Sequence, residues 1–183
     1  TSLISRLNRD GMVQKPAPDF IDLLRKAQDV SQVTSGAFDI TIQPLWKFLQ
    51  RFFSAGGNSD GDDFERELNF YRDRVGYQKL KITEDQVSFD LSGMAVTLNG
   101  IAQGYITDRV SEYRKSEGLT AVLIDMGEYR ALGPQASQMP WRIGLADPLN
   151  FGKLSEVLKI NEGAVATSSG LGEIFEPRGL YHH

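Results

Sequence analysis

Apolar residues in the first half of the chain recur at intervals of three and four, the spacing of helices that bury one face. Four helices are predicted there, with apolar positions over residues 3–7, 20–33, 45–53 and 64–75. Gly36 after the second helix and Pro44 at the start of the third support these boundaries. Residues 54–62 are rich in glycine and serine, which predicts a flexible loop.

Short apolar runs between turns dominate the second half and predict strands. These runs cover residues 79–82, 87–89, 94–98, 120–126, 129–132, 141–146, 154–160 and 164–167. One helix interrupts them after residues 99–100, and its predicted apolar face consists of Ile101, Tyr105, Val110 and Tyr113. Helices mainly in the first half and strands mainly in the second predict an α+β fold, a mixed α/β sandwich, in a single domain over residues 1–183.

The turn that leads into this helix carries few side chains. Gly100, Ala102 and Gly104 leave the backbone accessible, and Asn99 is a candidate N-cap. The first N–H groups of a helix are unpaired and lie at the positive end of its dipole, so a phosphate can bind there. The same glycines also allow a helix to pack closely on a strand, and spacing alone does not separate the two interpretations.

Composition narrows the function classes. The 183 residues are 40% hydrophobic and 24% charged, as in ordinary globular proteins, and contain no apolar run of the length that a membrane helix needs. A net charge of -4 gives no electrostatic reason to expect nucleic acid as a partner, so the aromatic third helix is predicted to make core contacts. Without cysteine, the chain has no disulfide, thiolate nucleophile or cysteine-ligated zinc.

Several polar residues lie near predicted turns. The carboxylates Asp39, Asp108, Asp125 and Glu128 each suit either a ligand contact or an ordinary solvated charge. Residues 167–170 offer hydroxyls after a strand, but the chain lacks a G-x-S-x-G nucleophile motif. The only two histidines, His182 and His183, are either native residues or the remnant of a purification tag.

Five segments carry a more specific pattern in one order along the chain. They are residues 5–8, 34–45, 99–108, 127–133, and 166–170 with 179–183. They resemble, respectively, S-R-L-N; T-x-G-A-F-D-x-T-x-x-P-L; D-x-G-G-I-A-K-G-Y-x-x-D; G-G-D/E-x-x-x-x-G; and A-T-S-G with the opening of H-I-x-D-P-x-T-G. These motifs are those of the ApbE family, the FAD:protein FMN transferases, which the chain resembles over nearly its whole length.

The resemblance implies a protein that binds FAD and Mg²⁺ and transfers the FMN moiety to a threonine or serine hydroxyl of an acceptor protein, with release of AMP. The implied acceptors are proteins of a membrane electron-transfer system. The implied location is the periplasm, as a secreted protein or an inner-membrane lipoprotein. Two other functions stay open on the same scaffold: hydrolysis of FAD to FMN and AMP, and FAD binding without catalysis.

The resemblance also implies site residues. His183 matches the motif histidine, a candidate base for the acceptor hydroxyl, and the backbone carbonyl of Ala102 matches a metal ligand. The implied flavin and adenine site consists of Asn8, Gly36, Ala37, Phe38, Asp39, Gly100, Ile101, Gly104, Asp108, Ser169 and Gly170.

The chain departs from the family pattern at a few positions. Thr97 replaces the family aspartate, Asn99 its first glycine and Gln103 its lysine, while Met126 replaces a glycine. Loss of that lysine removes a positive charge beside the pyrophosphate. The D-P-x-T-G portion, which carries the family's side-chain metal ligands, would follow His183. The resemblance therefore leads us to expect a chain truncated at both ends, which cannot complete a family-type magnesium site.

Overall fold

The computed structural model describes residues 2–57, 59, 61–147 and 149–168. The described chain forms two compact units, one ending at Gly100 and the other beginning at Ile101. One domain can contain two compact units, so this division does not test the predicted single domain over residues 1–183, which stays a prediction.

The first unit contains the four predicted helices among its described residues. Its elements are α1 (Leu3–Asp10), β1 (Met12–Gln14), α2 (Pro18–Val33), a 3₁₀ turn (Ile40–Ile42), α3 (Gln43–Ser54), α4 (Asp62–Arg72), a second 3₁₀ turn (Tyr77–Lys79), β2 (Leu80–Ile82) and β3 (Gln86–Phe89). The short strand β1 was not predicted, because three residues are too few for an alternating pattern to stand out.

Local chemistry explains where α1 begins and ends. The Ser2 hydroxyl accepts a hydrogen bond from the Ser5 N–H at 3.3 Å, which satisfies one unpaired donor of the first turn. Gly11 is left-handed (φ 74°) and its N–H donates to the Leu7 carbonyl. The Gly11 cap turns the chain directly into β1, and it bonds back to Leu7, which is fully buried.

A small antiparallel sheet in the order β1-β3-β2 supports this unit. Val87 at its centre pairs with Val13 on one side and Ile82 on the other, and it is fully buried. Helix α2 is tied to the sheet by Gln28, whose amide donates to the carbonyls of Tyr77 and Leu80 at 2.9 and 2.8 Å.

Helices α3 and α4 form an aromatic core of their own. Phe48 is 2% exposed and stacks on Tyr71 and Phe64, with ring centroids 4.8 and 5.8 Å away. Leu49 and Leu68 complete the buried cluster. The aromatic residues of α3 therefore make core contacts, as predicted.

The second unit holds α5 (Ala102–Ser116), β4 (Val122–Asp125), β5 (Tyr129–Leu132), β6 (Trp141–Asp147), β7 (Asn150–Ile160) and β8 (Gly163–Val165). Strands β4, β5 and β8 form an antiparallel sheet with β5 in the middle, and β6 pairs with β7 in a separate antiparallel ribbon. Helices in the first half and strands in the second confirm the predicted α+β class.

The predicted apolar face of α5 is only partly buried. Tyr113 is 59% exposed, and the other three predicted residues are half-buried: Ile101, Tyr105 and Val110. The residues that the helix buries fully are Thr107 and Ser111. The two buried hydroxyls donate to the carbonyls of Gln103 and Thr107 one turn earlier, at 2.8 and 2.7 Å, so they carry no unsatisfied hydrogen bond. Small side chains on this face also allow the helix to approach β5 closely.

The predicted strand over residues 94–98 is an irregular segment. Asn99, the predicted N-cap of α5, does not cap that helix. Met94 and Val96 are buried as a strand would bury them, yet no described strand pairs with the segment. Its backbone hydrogen bonds go to the Asn8 side chain and to the carbonyls of Leu91 and Ile40, which lie outside any sheet. Helix α5 begins at Ala102, with Ile101 in the N-cap position.

The aromatic core predicts a large loss of stability when its centre is removed. Phe48→Ala should lower the free energy of unfolding by about 3–5 kcal/mol, because it deletes buried surface and leaves a cavity. Phe70→Ala is the matched control: Phe70 is 51% exposed, and its guanidinium contact with Arg74 contributes only about 0.5–1 kcal/mol. Urea unfolding followed by circular dichroism checks both, and equal losses would contradict the assigned core.

Candidate functional site

Residues 36–39, here called the 36–39 turn, form a tight reversal after α2. Ser35 and Gly36 both have positive φ, 53° and 85°, which suits glycine and is uncommon for serine. The Thr34 hydroxyl stabilises the reversal by accepting the Phe38 N–H at 3.1 Å. Thr34 and Gly36, both motif residues, thus fix the backbone from which the Phe38 side chain projects.

Asp39 connects this turn to another part of the first unit. One carboxylate oxygen accepts the N–H and the hydroxyl of Thr41 at 2.8 and 2.7 Å. The other oxygen accepts the Tyr77 N–H at 2.8 Å. Thr41 is fully buried, and its hydroxyl oxygen accepts the Gly76 N–H at 2.7 Å. Asp39 therefore has three internal hydrogen-bond donors.

Asn8 fixes the segment that leads to the central turn. Its side-chain amide pairs with both backbone groups of Val96, donating to the carbonyl and accepting from the N–H, each at 2.8 Å. The next N–H, of Thr97, donates to the Ile40 carbonyl at 2.8 Å. The side chain of Asn8 thus replaces the neighbouring strand that the sequence pattern led us to expect.

A cavity of about 290 Å³ opens beside these residues in the first unit. Its lining consists of residues 36–40, Ile42, Val75, Thr97 and Gly100. Gly100 is needed for its shape, since a Cβ there would lie 3.2 Å from the ring of Phe38. The volume is at the small end of ligand pockets and the walls are largely apolar, which suits one ring system of a ligand.

The structure brings part of the predicted site together around this cavity. Gly36, Ala37, Phe38, Asp39 and Gly100 all line it, and their role in binding FAD stays a prediction. Sequence reasoning did not select Val75 and Thr97, and it gave Thr41 no role. Thr41 could have been found, because it is the final threonine of the A-F-D-x-T motif.

Asn8 also lies on a second, more open cavity of about 560 Å³ in the same unit. This cavity follows residues 8–12 of the chain and the edge of β3. On its rim, two hydrogen bonds from Arg9 (2.7 and 2.8 Å) lower the pKa of the Asp10 carboxyl. Both of these side chains are solvent-exposed, so the pair does not make a closed binding site.

In the second unit, the first turn of α5 has no side-chain cap among the described residues and contains no acidic residue. Gly104 and Gln103 face the turn between β4 and β5. A Cβ on Gly104 would lie 3.2 Å from a Glu128 carboxylate oxygen, and one on Gly127 would lie 2.8 Å from the Gln103 amide nitrogen. These glycines therefore give room to neighbouring side chains, while the N–H groups of the first turn keep the dipole that favours an anion.

Asp108 lies one turn further along α5. Its carboxylate is 3.7 Å from Nε of Arg130 on β5, an ion-pair distance that is too long for a hydrogen bond. Nε of Arg130 is buried and has no hydrogen-bond partner among the described residues. Asp108 thus balances the charge of a partly buried arginine, whatever else it contacts.

The described residues do not fit a complete magnesium site. Within them, no group of three or more histidine, cysteine, aspartate or glutamate side chains is arranged to hold a metal ion. The implied contribution of Ala102 is a single backbone carbonyl, and Mg²⁺ requires near-octahedral oxygen coordination. Of the other implied residues, His183, Ser169 and Gly170 lie outside the described residues.

No helix in the described ranges is both long and apolar enough to cross a membrane.

Comparison with known proteins identifies the family to which this chain is similar. The model of the ApbE family matches residues 1–183. The chain is 29% identical over 166 residues to a FAD:protein FMN transferase of Vibrio cholerae, covering 89% of this chain and 49% of the relative. A protein of the same name from Klebsiella pneumoniae is 32% identical over 166 residues, covering 88% and 49%. The chain therefore spans about half the length of these curated relatives.

Solved structures agree with the sequence comparison. The ApbE protein of Thermotoga maritima superposes with a TM-score of 0.80 at 25% identity, over all of this chain and 60% of that one. The flavin transferase ApbE of Vibrio cholerae gives a TM-score of 0.72 at 26% identity, over 98% and 58%. The predicted ApbE-like mixed fold is confirmed, and the chain belongs to the ApbE family.

Proposed function

We propose that this protein transfers the FMN moiety of FAD to a threonine or serine hydroxyl of an acceptor flavoprotein and releases AMP. The observation that carries the proposal is the apolar cavity walled by the 36–39 turn and Gly100, because motif residues build it in a family member. The relatives named FAD:protein FMN transferases support the same reaction.

The proposed chemistry is a phosphoryl-type transfer. The acceptor oxygen attacks the phosphorus on the FMN side of the FAD pyrophosphate, forming a phosphoester bond. The bond from this phosphorus to the bridging oxygen breaks, and AMP leaves with that oxygen. The hydroxyl proton passes to a base, for which His183 is the candidate by its match to the family motif. Positioning and charge stabilisation account for most of the rate in such reactions.

Residues of this chain supply binding and orientation. The cavity beside Phe38 accepts one ring system of FAD and excludes water from its faces. Within the described residues the start of α5 has no side-chain cap, and the first N–H groups of a helix, at the positive end of its dipole, are suited to phosphate oxygens. Gln103 provides a neutral amide donor where the family has lysine, so this chain offers less positive charge to the pyrophosphate.

Magnesium dependence, the acceptor and the location are also part of the proposal. A bound Mg²⁺ ion would neutralise charge on the two phosphates. Among the described residues, the Ala102 carbonyl is the one group that the family motifs match to a metal ligand. The proposed acceptor belongs to a membrane electron-transfer system, and the proposed location is the periplasm, with or without a lipid anchor.

A second candidate function is FAD binding without transfer. Gln103 in place of the family lysine favours it over a fully active enzyme, because a positive charge beside the pyrophosphate is lost. Cleavage of FAD by water, which yields FMN and AMP, would require the same phosphate site and is distinguished by its products.

The proposed transfer predicts a covalent product. The full-length protein, incubated with FAD, Mg²⁺ and a threonine-containing acceptor peptide, should add one FMN to the peptide and release AMP, as measured by mass spectrometry. The Vibrio cholerae transferase is the positive control. AMP and FMN without an adduct would indicate hydrolysis instead, and FAD fluorescence quenching with neither product would indicate binding alone.

The cavity predicts that Gly100→Val weakens FAD binding. The new side chain would clash with the Phe38 ring and fill the space beside it, so we expect an affinity loss of at least tenfold, or about 1.4 kcal/mol, in a fluorescence titration. Gly61→Val is the control, since a Cβ at Gly61 meets no atom within 4 Å and its φ is not positive. Equal affinity in both variants would exclude this cavity from the FAD site.

Restoring the family's lysine at position 103 is predicted to strengthen FAD binding. Gln103→Lys should tighten FAD binding by about 1.5–3 kcal/mol, the contribution of a charged hydrogen bond, if residue 103 faces the phosphates. Gln32→Lys makes the same charge change at an exposed position of α2 and controls for general attraction of the anion. Unchanged affinity in Gln103→Lys would mean that the side chain points away from the pyrophosphate.

A further inference from the structure

The carboxylate of Asp39 is largely occupied by internal donors. A carboxylate offers about four lone-pair positions. Two N–H groups and one hydroxyl fill three of them in Asp39, at 2.7 to 2.8 Å. These distances are typical of strong, charge-assisted hydrogen bonds. Little capacity remains for a ligand, although Asp39 is in the most specific motif of the chain.

The donors come from two separate segments of the first unit. Thr41 follows the 36–39 turn, whereas Tyr77 begins a 3₁₀ turn more than thirty residues later. Thr41 adds a second link between them, because its hydroxyl donates to Asp39 and accepts from the Gly76 N–H. We call Asp39, Thr41 and the N–H groups of Gly76 and Tyr77 the carboxylate clamp.

The clamp joins the segments that carry two walls of the cavity. Phe38 precedes Asp39 directly, and Val75 precedes Gly76 directly; both line the cavity. Ile40, between the two clamp residues of the first segment, accepts the Thr97 N–H, and Thr97 also lines the cavity. Three wall residues are therefore held in place through the clamp or the residue inside it.

Glycine at position 76 fits this role. Gly76 has φ 150° and donates its N–H to Thr41. L-residues rarely adopt this backbone conformation, so the donor can be presented to Thr41 only from a glycine-like backbone. The clamp is thus encoded at both ends, by the A-F-D-x-T motif and by Gly76.

We propose that Asp39, although it lines the cavity, serves FAD as a positioning residue whose carboxylate bonds to the protein and not to the ligand. Its carboxylate holds the Phe38 and Val75 walls at a fixed separation before the ligand arrives, so that binding does not have to order them. The inference rests on the proposed function, since FAD is the ligand for which the walls are positioned. It replaces the direct contact that the resemblance implied for Asp39.

Thr41 makes the proposal testable because it cannot touch a ligand. It is fully buried, so an effect of Thr41→Val on FAD binding cannot come from a lost contact with the ligand. Asp39→Asn breaks the clamp from the other side. In either orientation of the new amide, its NH₂ group faces an N–H or hydroxyl donor.

The experiment measures FAD affinity by fluorescence titration for the 183-residue chain, Asp39→Asn, Thr41→Val and the double variant. Each single variant should bind FAD roughly tenfold more weakly. The double variant should be little weaker than either single variant, because the residues act as one unit. Thr41→Ser, which keeps the hydroxyl, should bind as the unchanged chain does. If Thr41→Val does not fold, Thr41→Ala, which is smaller, replaces it.

Two further measurements separate positioning from a general loss of stability. Val87→Ala removes buried surface from the centre of the β1-β3-β2 sheet and does not line the cavity; it should lower the urea midpoint and leave FAD affinity within about twofold. Hydrogen exchange without FAD should show faster exchange of the Gly76 and Tyr77 amides in both clamp variants and not in Thr41→Ser.

Three results would overturn the assignment. If Asp39→Asn loses affinity while Thr41→Val binds normally, Asp39 contacts the ligand directly. If both variants bind normally, the clamp does not matter for binding. If affinity falls in Val87→Ala as much as in the clamp variants, the role is stability alone. An unchanged chain without FAD affinity would instead refute the proposed function, and with it any role of Asp39 in binding.

Discussion

The first unit depends on how one carboxylate satisfies backbone donors that turns leave unpaired. The N–H groups of Thr41, Gly76 and Tyr77 lie outside regular helices and strands, and a buried donor without a partner costs about 1–3 kcal/mol. Asp39 and the Thr41 hydroxyl accept all three. The same hydrogen bonds hold the residues beside the cavity, so satisfying the backbone and shaping the candidate site are one structural solution.

Asn8 solves the same problem for the segment before Gly100. An irregular buried segment needs partners for its backbone, and the side-chain amide of Asn8 supplies both for Val96. In the second unit, Thr107 and Ser111 are buried because their hydroxyls bond to the carbonyls of their own helix. In each case a motif or helix residue is polar for an internal reason, so polarity alone does not mark a ligand contact.

Apolar spacing predicted the helices of the first half and most strands of the second, since each of these elements buries one face. Apolar spacing failed where the buried residues do not form one apolar face of a helix or of a paired strand. Met94 and Val96 are buried without belonging to a sheet, and α5 buries small polar residues while Ile106 is 47% exposed. The ordered motifs predicted the family and five residues that line the cavity. They could not separate contact from support, because Asp39 has the same place in the motif in either role.

The sequence by itself determined the fold class, the family and the turn-forming residues, because periodicity, glycine at positive φ and ordered motifs are local properties. It also determined the departures at Thr97, Asn99 and Gln103. Only the tertiary structure decided which partners the polar side chains have. Asp39 is hydrogen-bonded to Tyr77, 38 positions away in the sequence, and Asn8 is hydrogen-bonded to Val96, 88 positions away. No local pattern records such a pairing, since it depends on how distant segments pack.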